Sequence, residues 1–158
     1  MNTLHDTKSV QESKFEIQRI FLKDLSFEAP NTPNTFSEEW KPEVTLNLET
    51  KSNRIKDHMH EVVLSITATV SSNKNTAFLV EAHQAGIFLI DGVQDSQLHH
   101  LLGSVCPNIL FPFVREVISD TVTRSGFPQL ILAPVNFDAL YAQHMEKMNS
   151  TAGSQTTN

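Results

Sequence analysis

Two prolines set into one long apolar run constrain this chain more than any other feature. Cys106 to Phe113 reads CPNILFPF and continues through Val114, Val117, Ile118 and Val122. Proline lacks a backbone donor and suits the first turn of a helix, whereas inside a helix it costs about 3 kcal/mol and kinks it. From Pro112 onward Phe113, Val114, Val117, Ile118, Thr121 and Val122 fall three and four apart, and Arg124 followed by Gly126 reads as a stop. The spacing therefore predicts a helix that begins at Pro112 and is too apolar to be covered on one side alone. In a chain of 158 residues, such a helix is expected to lie between the body of its own subunit and a second copy.

Upstream, the apolar period is two. Phe15 to Leu22 is apolar at 15, 17 and then 20, 22, a strand whose inward phase slips near Arg19, as at a bulge. Ser26 to Glu39 carries Pro30 and Pro33 among polar residues around isolated Phe27 and Phe36, and reads as a long crossover loop, a kind usually functional. Glu43 to Glu49 alternates, with Val44, Leu46 and Leu48 on one face of a half-buried strand. Val62, Leu64, Ile66, Ala68 and Val70 then alternate with polar residues, and the turn Ser71 to Asn75 leads into a second hairpin arm. In that arm Phe78, Val80 and Ala82 share one face, Leu79, Glu81 and His83 share the other, and Gly86 is expected to break the ladder.

A short helix is expected over Asp95–Leu102, capped by Asp95 or Ser96 and ended by Gly103. Asn136 can cap a last helix with Phe137, Leu140, Tyr141 and Met145 as its stripe. The polar ends, residues 1–13 and 149–158, are expected to be disordered, leaving a single domain over 14–148. Strands followed by helices define an α+β fold, a four-stranded antiparallel sheet with a long crossover loop and C-terminal helices.

Several chemistries find no foothold. A net charge of -6, from 12 Lys and Arg against 18 Asp and Glu, disfavours nucleic acid and suits a basic partner. None of the five glycines forms GxGxxG or GxxxxGK[ST], so no phosphate cradle and no cofactor is expected. There is no apolar run of about 18 residues and no apolar N-terminal stretch, which points to the cytoplasm and against membrane insertion. Cys106, alone and directly before a proline, reads as a buried small side chain rather than a nucleophile. His58 and His60 would point the same way along a strand, but no third ligand completes a metal site. His99 and His100 diverge by roughly 100° on a helix. No catalytic constellation converges, and the chain is not expected to be an enzyme.

Four segments together, FEIQRIFLKDLSFEAPNTP, WKPEVTLNL, CPNILFPFVRE and FPQLILAPVNFDALY, resemble SecB, the bacterial protein-export chaperone family. The resemblance covers nearly everything foldable. It implies a cytosolic homotetramer, a dimer of dimers with long helices between two sheets, and Phe113, Val117, Ile118 and Val122 at the tetramer interface. It further implies an ATP-independent holdase that keeps unfolded preproteins translocation-competent and passes them to SecA at the translocase. The family's client groove maps onto Phe27, Phe36, Trp40, Leu46, Leu48, Phe137, Leu140 and Tyr141. Its SecA-binding surface, which receives a basic zinc-bearing tail, maps onto Asp24, Glu28, Leu79 and Glu81. Two departures stand out: Ala85-Gly86 replaces the usual glycine pair, and the C-terminal tail lacks acids. They leave room for a paralogue with other clients, such as an antitoxin.

Overall fold

Alternating side chains make long strands here. The computed structural model describes residues 12–153. In it β1 (Lys14–Glu28), β2 (Pro42–Lys56), β3 (Met59–Ser72) and β4 (Asn75–Asp91) form one antiparallel sheet in the order β1-β4-β3-β2. β3 and β4 are joined by a tight turn in which Asn73 and Lys74 both have positive φ, 52° and 68°, the conformation that matches strand twist. The β1 register shifts between Ile17 and Arg19, as expected, and again between Leu22 and Asp24. Each extra residue resets the phase, so Phe15, Ile17, Ile20, Leu22, Leu25 and Phe27 all stay on one face. Residues 29–41 then cross from one edge of the sheet to the other, with a single 3-10 turn at Asn34–Ser37.

A helical stretch covers that face. It runs unbroken from Asp95 to Arg124 as α1 (Asp95–His100), a π turn (Leu101–Val105) and α2 (Cys106–Arg124). Leu110, Val114, Ile118 and Val122 are buried with Val62, Leu64, Ile66, Val80 and Phe88 of β3 and β4 in one core. By length and composition this helix could cross a membrane, but its apolar inner side is used against the sheet. α3 (Phe137–Gly153) follows an extended segment, and Asn136 caps it by accepting from the Ala139 amide at 3.0 Å.

Three expectations need correction here. The long helix does not begin at Pro112, which lies inside it. Pro112 and Asn108, whose carbonyl loses its partner, are both exposed, so water satisfies the freed oxygen. Pro107 takes the first turn of α2, directly after the π turn, whose wider coil makes room for its ring. Gly103 does not stop the helix: a Cβ there would stand 2.6 Å from Tyr141 Cδ2, so this glycine admits a close-packed ring. Gly86 does not break β4, which continues to Asp91. A Cβ at Gly86 would lie 2.7 Å from Phe88 Cε2 and 3.1 Å from Leu110 Cδ2, so the missing side chain lets α2 seat on the sheet. Gly86→Ala should cost roughly 1 kcal/mol or more through overpacking, measured as a lower urea midpoint at unchanged slope.

The remaining differences lie at ends and edges. The N-cap of α1 is Gln94, with no side-chain cap bond, rather than Asp95 or Ser96. Val44 and Leu46 are 46% and 39% exposed rather than half-buried, because β2 is an edge strand. The expected tail from Asn149 is helical as far as Gly153, and residues 154–158 lie outside the described residues, as do 1–11 of the expected N-terminal tail.

Candidate functional site

The exit from α2 builds the first half of the site. Gly126, at φ 87°, lets the Phe127 amide reach back to the Val122 carbonyl at 3.3 Å and the Gly126 amide to Thr123 at 3.1 Å. This is the paired bonding of a Schellman motif, which brings the residue after glycine back onto the helix. Phe127 thereby becomes the hub of an aromatic cluster, with ring centroids 4.9 Å from Phe78, 5.0 Å from Phe36, 5.9 Å from Trp40 and 6.4 Å from Phe27. The crossover loop supplies Phe36 and Trp40, the end of β1 supplies Phe27, and Phe36 remains 52% exposed.

From Trp40 the chain enters β2, where Val44, Leu46 and Leu48 pair with Val70, Ala68 and Ile66 and so share the helix-side face. They form an apolar stripe roughly 14 Å long. Leu48 ends it at a cavity of 650 Å³, lined also by Leu102, Phe137, Leu140, Tyr141, Met145 and Met148. Of the eight groove residues read from the sequence, seven lie along one surface at its two ends and between them, while Phe137, 4% exposed, is buried in the core against Phe111 beneath the α3 end. Phe27, Phe36 and Trp40 gather at the loop, Phe137, Leu140 and Tyr141 at α3, and Leu46 and Leu48 lie between.

The opposite face of the sheet is open and polar. Asp24 pairs with His83, Ser26 with Glu81 and Glu28 with Leu79. Antiparallel partners point to the same side, so Asp24, Glu28, Leu79 and Glu81 form one patch across β1 and β4. On the helix, Ile118 and Val122 are 0% exposed against the chain's own sheet. Of the four residues assigned to an interface, only Phe113, 43% exposed, faces outward, while Val117 is partly buried against the core.

The titratable side chains are spread out. Cys106 is buried and its thiol is pushed up to about 12 by desolvation, so it stays protonated and inert. His58 is exposed and 3.4 Å from Asp91, while His60 is buried, its pKa lowered by desolvation and then by Arg54 and His58. Among the described residues no group of three or more His, Cys, Asp or Glu could hold a metal. His99 lines the cavity. His100 donates to Asp138 at 2.9 Å, and the Ser104 hydroxyl donates to the same oxygen. These bonds tie the first turn of α3 to the end of α1 and to the π turn and hold the Asp138 carboxyl below its ordinary value, Ser104 being the larger cause. A lowered pKa stabilises above the ordinary carboxylate value of 3.8 and is lost as pH falls through the lowered one. Asp138→Asn should therefore show a smaller fall in urea midpoint between neutral and strongly acid pH.

Reading the sequence missed the hub. Phe127 follows the glycine that ends a helix, the position at which a Schellman motif places an apolar contact, and that offset was the available signal. Met148, three residues beyond Met145 on the α3 stripe, could have been found by helical period.

The sheet thus has one face under a long helix and an apolar groove beside it. A solved Mycobacterium tuberculosis SecB-like chaperone, in complex with a ChAD peptide from an antitoxin, superposes with a TM-score of 0.65 at 16% identity, covering 77% of this chain and 90% of that one. Sequence carries the likeness further. The family described as "Preprotein translocase subunit SecB" matches residues 8–148. The protein-export protein SecB of Nitrosococcus oceani is 56% identical over 92% of this chain and 90% of its own length. That of Legionella pneumophila subsp. pneumophila (strain Philadelphia 1) is 52% identical over 96% of this chain and 94% of its own. The chain belongs to the SecB family.

Proposed function

We propose that this protein is an ATP-independent cytosolic holdase that binds unfolded preproteins along the apolar groove and delivers them to SecA at the translocase. The observation that carries the reading is the continuity of uncovered apolar surface from Phe36 and Trp40 along Val44, Leu46 and Leu48 to the cavity at Leu140. Burying on the order of 1,000 Å² of client apolar surface there, at about 25 cal/mol per Å², gives roughly 25 kcal/mol gross. Ordering costs offset most of it. Because the hydrophobic effect has no direction, such a surface selects exposed apolar chain rather than a sequence, and folded proteins are ignored.

The acidic patch of Asp24, Glu28 and Glu81 beside Leu79 supplies the second partner site, which draws the basic tail of SecA by opposite charge. The protein works as a homotetramer, a dimer of dimers, and the outward Phe113 of α2 supports the helix-to-helix contact this needs. Relatives named for protein export at more than half identity favour this reading over a paralogue serving an antitoxin.

The direct test is refolding. A chemically unfolded precursor diluted into stoichiometric protein without nucleotide should regain its native signal several times more slowly. An unaltered rate refutes the reading. Light scattering at several concentrations should give four times the chain mass of 17.7 kDa, and a monomer at all of them refutes the assembly.

A further inference from the structure

Between the acids of the open face sits a side chain that the reading above does not use. His83 pairs across the strands with Asp24 of β1 on one side and Ser65 of β3 on the other, and it follows Glu81 by two residues on β4. Its Nδ1 lies 2.8 Å from Ser65 Oγ and its Nε2 2.9 Å from Glu81 Oε1. Glu81 as a carboxylate only accepts, so Nε2 carries a proton, and Nδ1 of the neutral ring accepts a hydrogen bond from the Ser65 hydroxyl. When the ring gains its second proton, Nδ1 donates instead and the Ser65 hydroxyl turns to accept. The chain Ser65–His83–Glu81 thus keeps its geometry in both states, and only the charge changes.

We infer that His83 is the positioning and charge-setting residue of the acidic patch: it aims the Glu81 carboxylate, and as a cation it weakens capture of a basic partner. The inference rests on the proposed SecA-binding reading of that patch. The surroundings leave the added charge to act on Glu81 and Asp24. Lys23 is bonded to Glu61 at 3.0 Å, Lys51 lies 3.7 Å from Glu49 on β2, and Glu28 stands one strand pair beyond, opposite Leu79. Coulomb attraction between exposed groups acts within a Debye length of about 8 Å at physiological salt.

The test compares the full-length protein with His83→Gln and His83→Ala, using the zinc-loaded C-terminal peptide of SecA as probe at low ionic strength. Glutamine can donate to Glu81 and accept from Ser65 but cannot become a cation. At mildly alkaline pH, His83→Gln should bind within about twofold of native, while His83→Ala, which leaves Glu81 unaimed, should bind about fivefold more weakly. On acidification by two pH units the ratio of native to His83→Gln affinity should fall about tenfold, the equivalent of about 1.4 kcal/mol; because both share the probe, its own titration cancels. A ratio constant with pH, or equal binding by the Ala and Gln variants, overturns the role of His83. Undiminished binding by Asp24→Ala, Glu81→Ala would instead overturn the patch itself, so the two failures are told apart.

Discussion

The double variant Asp24→Ala, Glu81→Ala should lose roughly a hundredfold in affinity for SecA at low ionic strength while holding unfolded clients as tightly as before. Each contact is taken as worth about 1.4 kcal/mol, a factor of ten per charge. The two acids stand on neighbouring strands of one face, Asp24 opposite His83 and Glu81 opposite Ser26, so a single basic segment can engage both. The groove lies on the other face of the sheet, on the side of Val44, Leu46 and Leu48, and its apolar contacts are insensitive to the lost charges. Surface plasmon resonance with SecA, beside a refolding assay, reads both quantities. The SecA loss should shrink as salt is raised, because the attraction is screened; retention of full SecA affinity refutes the patch.

Trp40→Ala should weaken capture of unfolded clients by about tenfold, with Trp40→Phe recovering most of the loss. Trp40 belongs to a cluster centred on Phe127, at 5.9 Å, and stands where the crossover loop feeds β2. Removing its ring deletes apolar surface at the head of the stripe and leaves Phe127 with one aromatic neighbour fewer, so the truncation costs area and order together. The outward side of α2 is untouched, and the assembled mass should not change. Fluorescence anisotropy of a labelled unfolded precursor measures the first effect and light scattering the second. Unchanged client affinity would remove Trp40 from the groove.

Much of the fold is legible in the residues themselves. Strict alternation in Val62 to Val70 and Phe78 to Ala82 places the buried face of the hairpin, all of it exposed by no more than 1%, because period two leaves no choice once one face is covered. The phase slip near Arg19 marks a real bulge for the same reason. What misleads is residues with two uses. Gly86 and Gly103 look like punctuation, but each is small because a ring or a helix presses on it, a reason that lies far away in sequence. Pro112 looks like a helix start because local rules do not know that the carbonyl it strands faces water. The groove residues follow from the family resemblance; the structure sets Phe36, Trp40, Leu46, Leu48 and Leu140 along one side of the sheet but buries Phe137 in the core, and the tertiary role of Phe127 is hinted at only by its place after Gly126.

The π turn at Leu101–Val105 amounts to one residue more than an α-helix needs. Deleting a single residue there can be absorbed by closing the π turn to regular α-helix, whereas a deletion past Cys106 would swing everything beyond it by about 100° around the axis, putting Arg115, Ser119 and Thr123 where Val114, Ile118 and Val122 meet β3 and β4. Relatives of this chain can therefore be expected to lose or keep that one residue at the π turn, yet to hold their residue count constant from Cys106 to Arg124, where a lost codon is a rotation rather than a shortening.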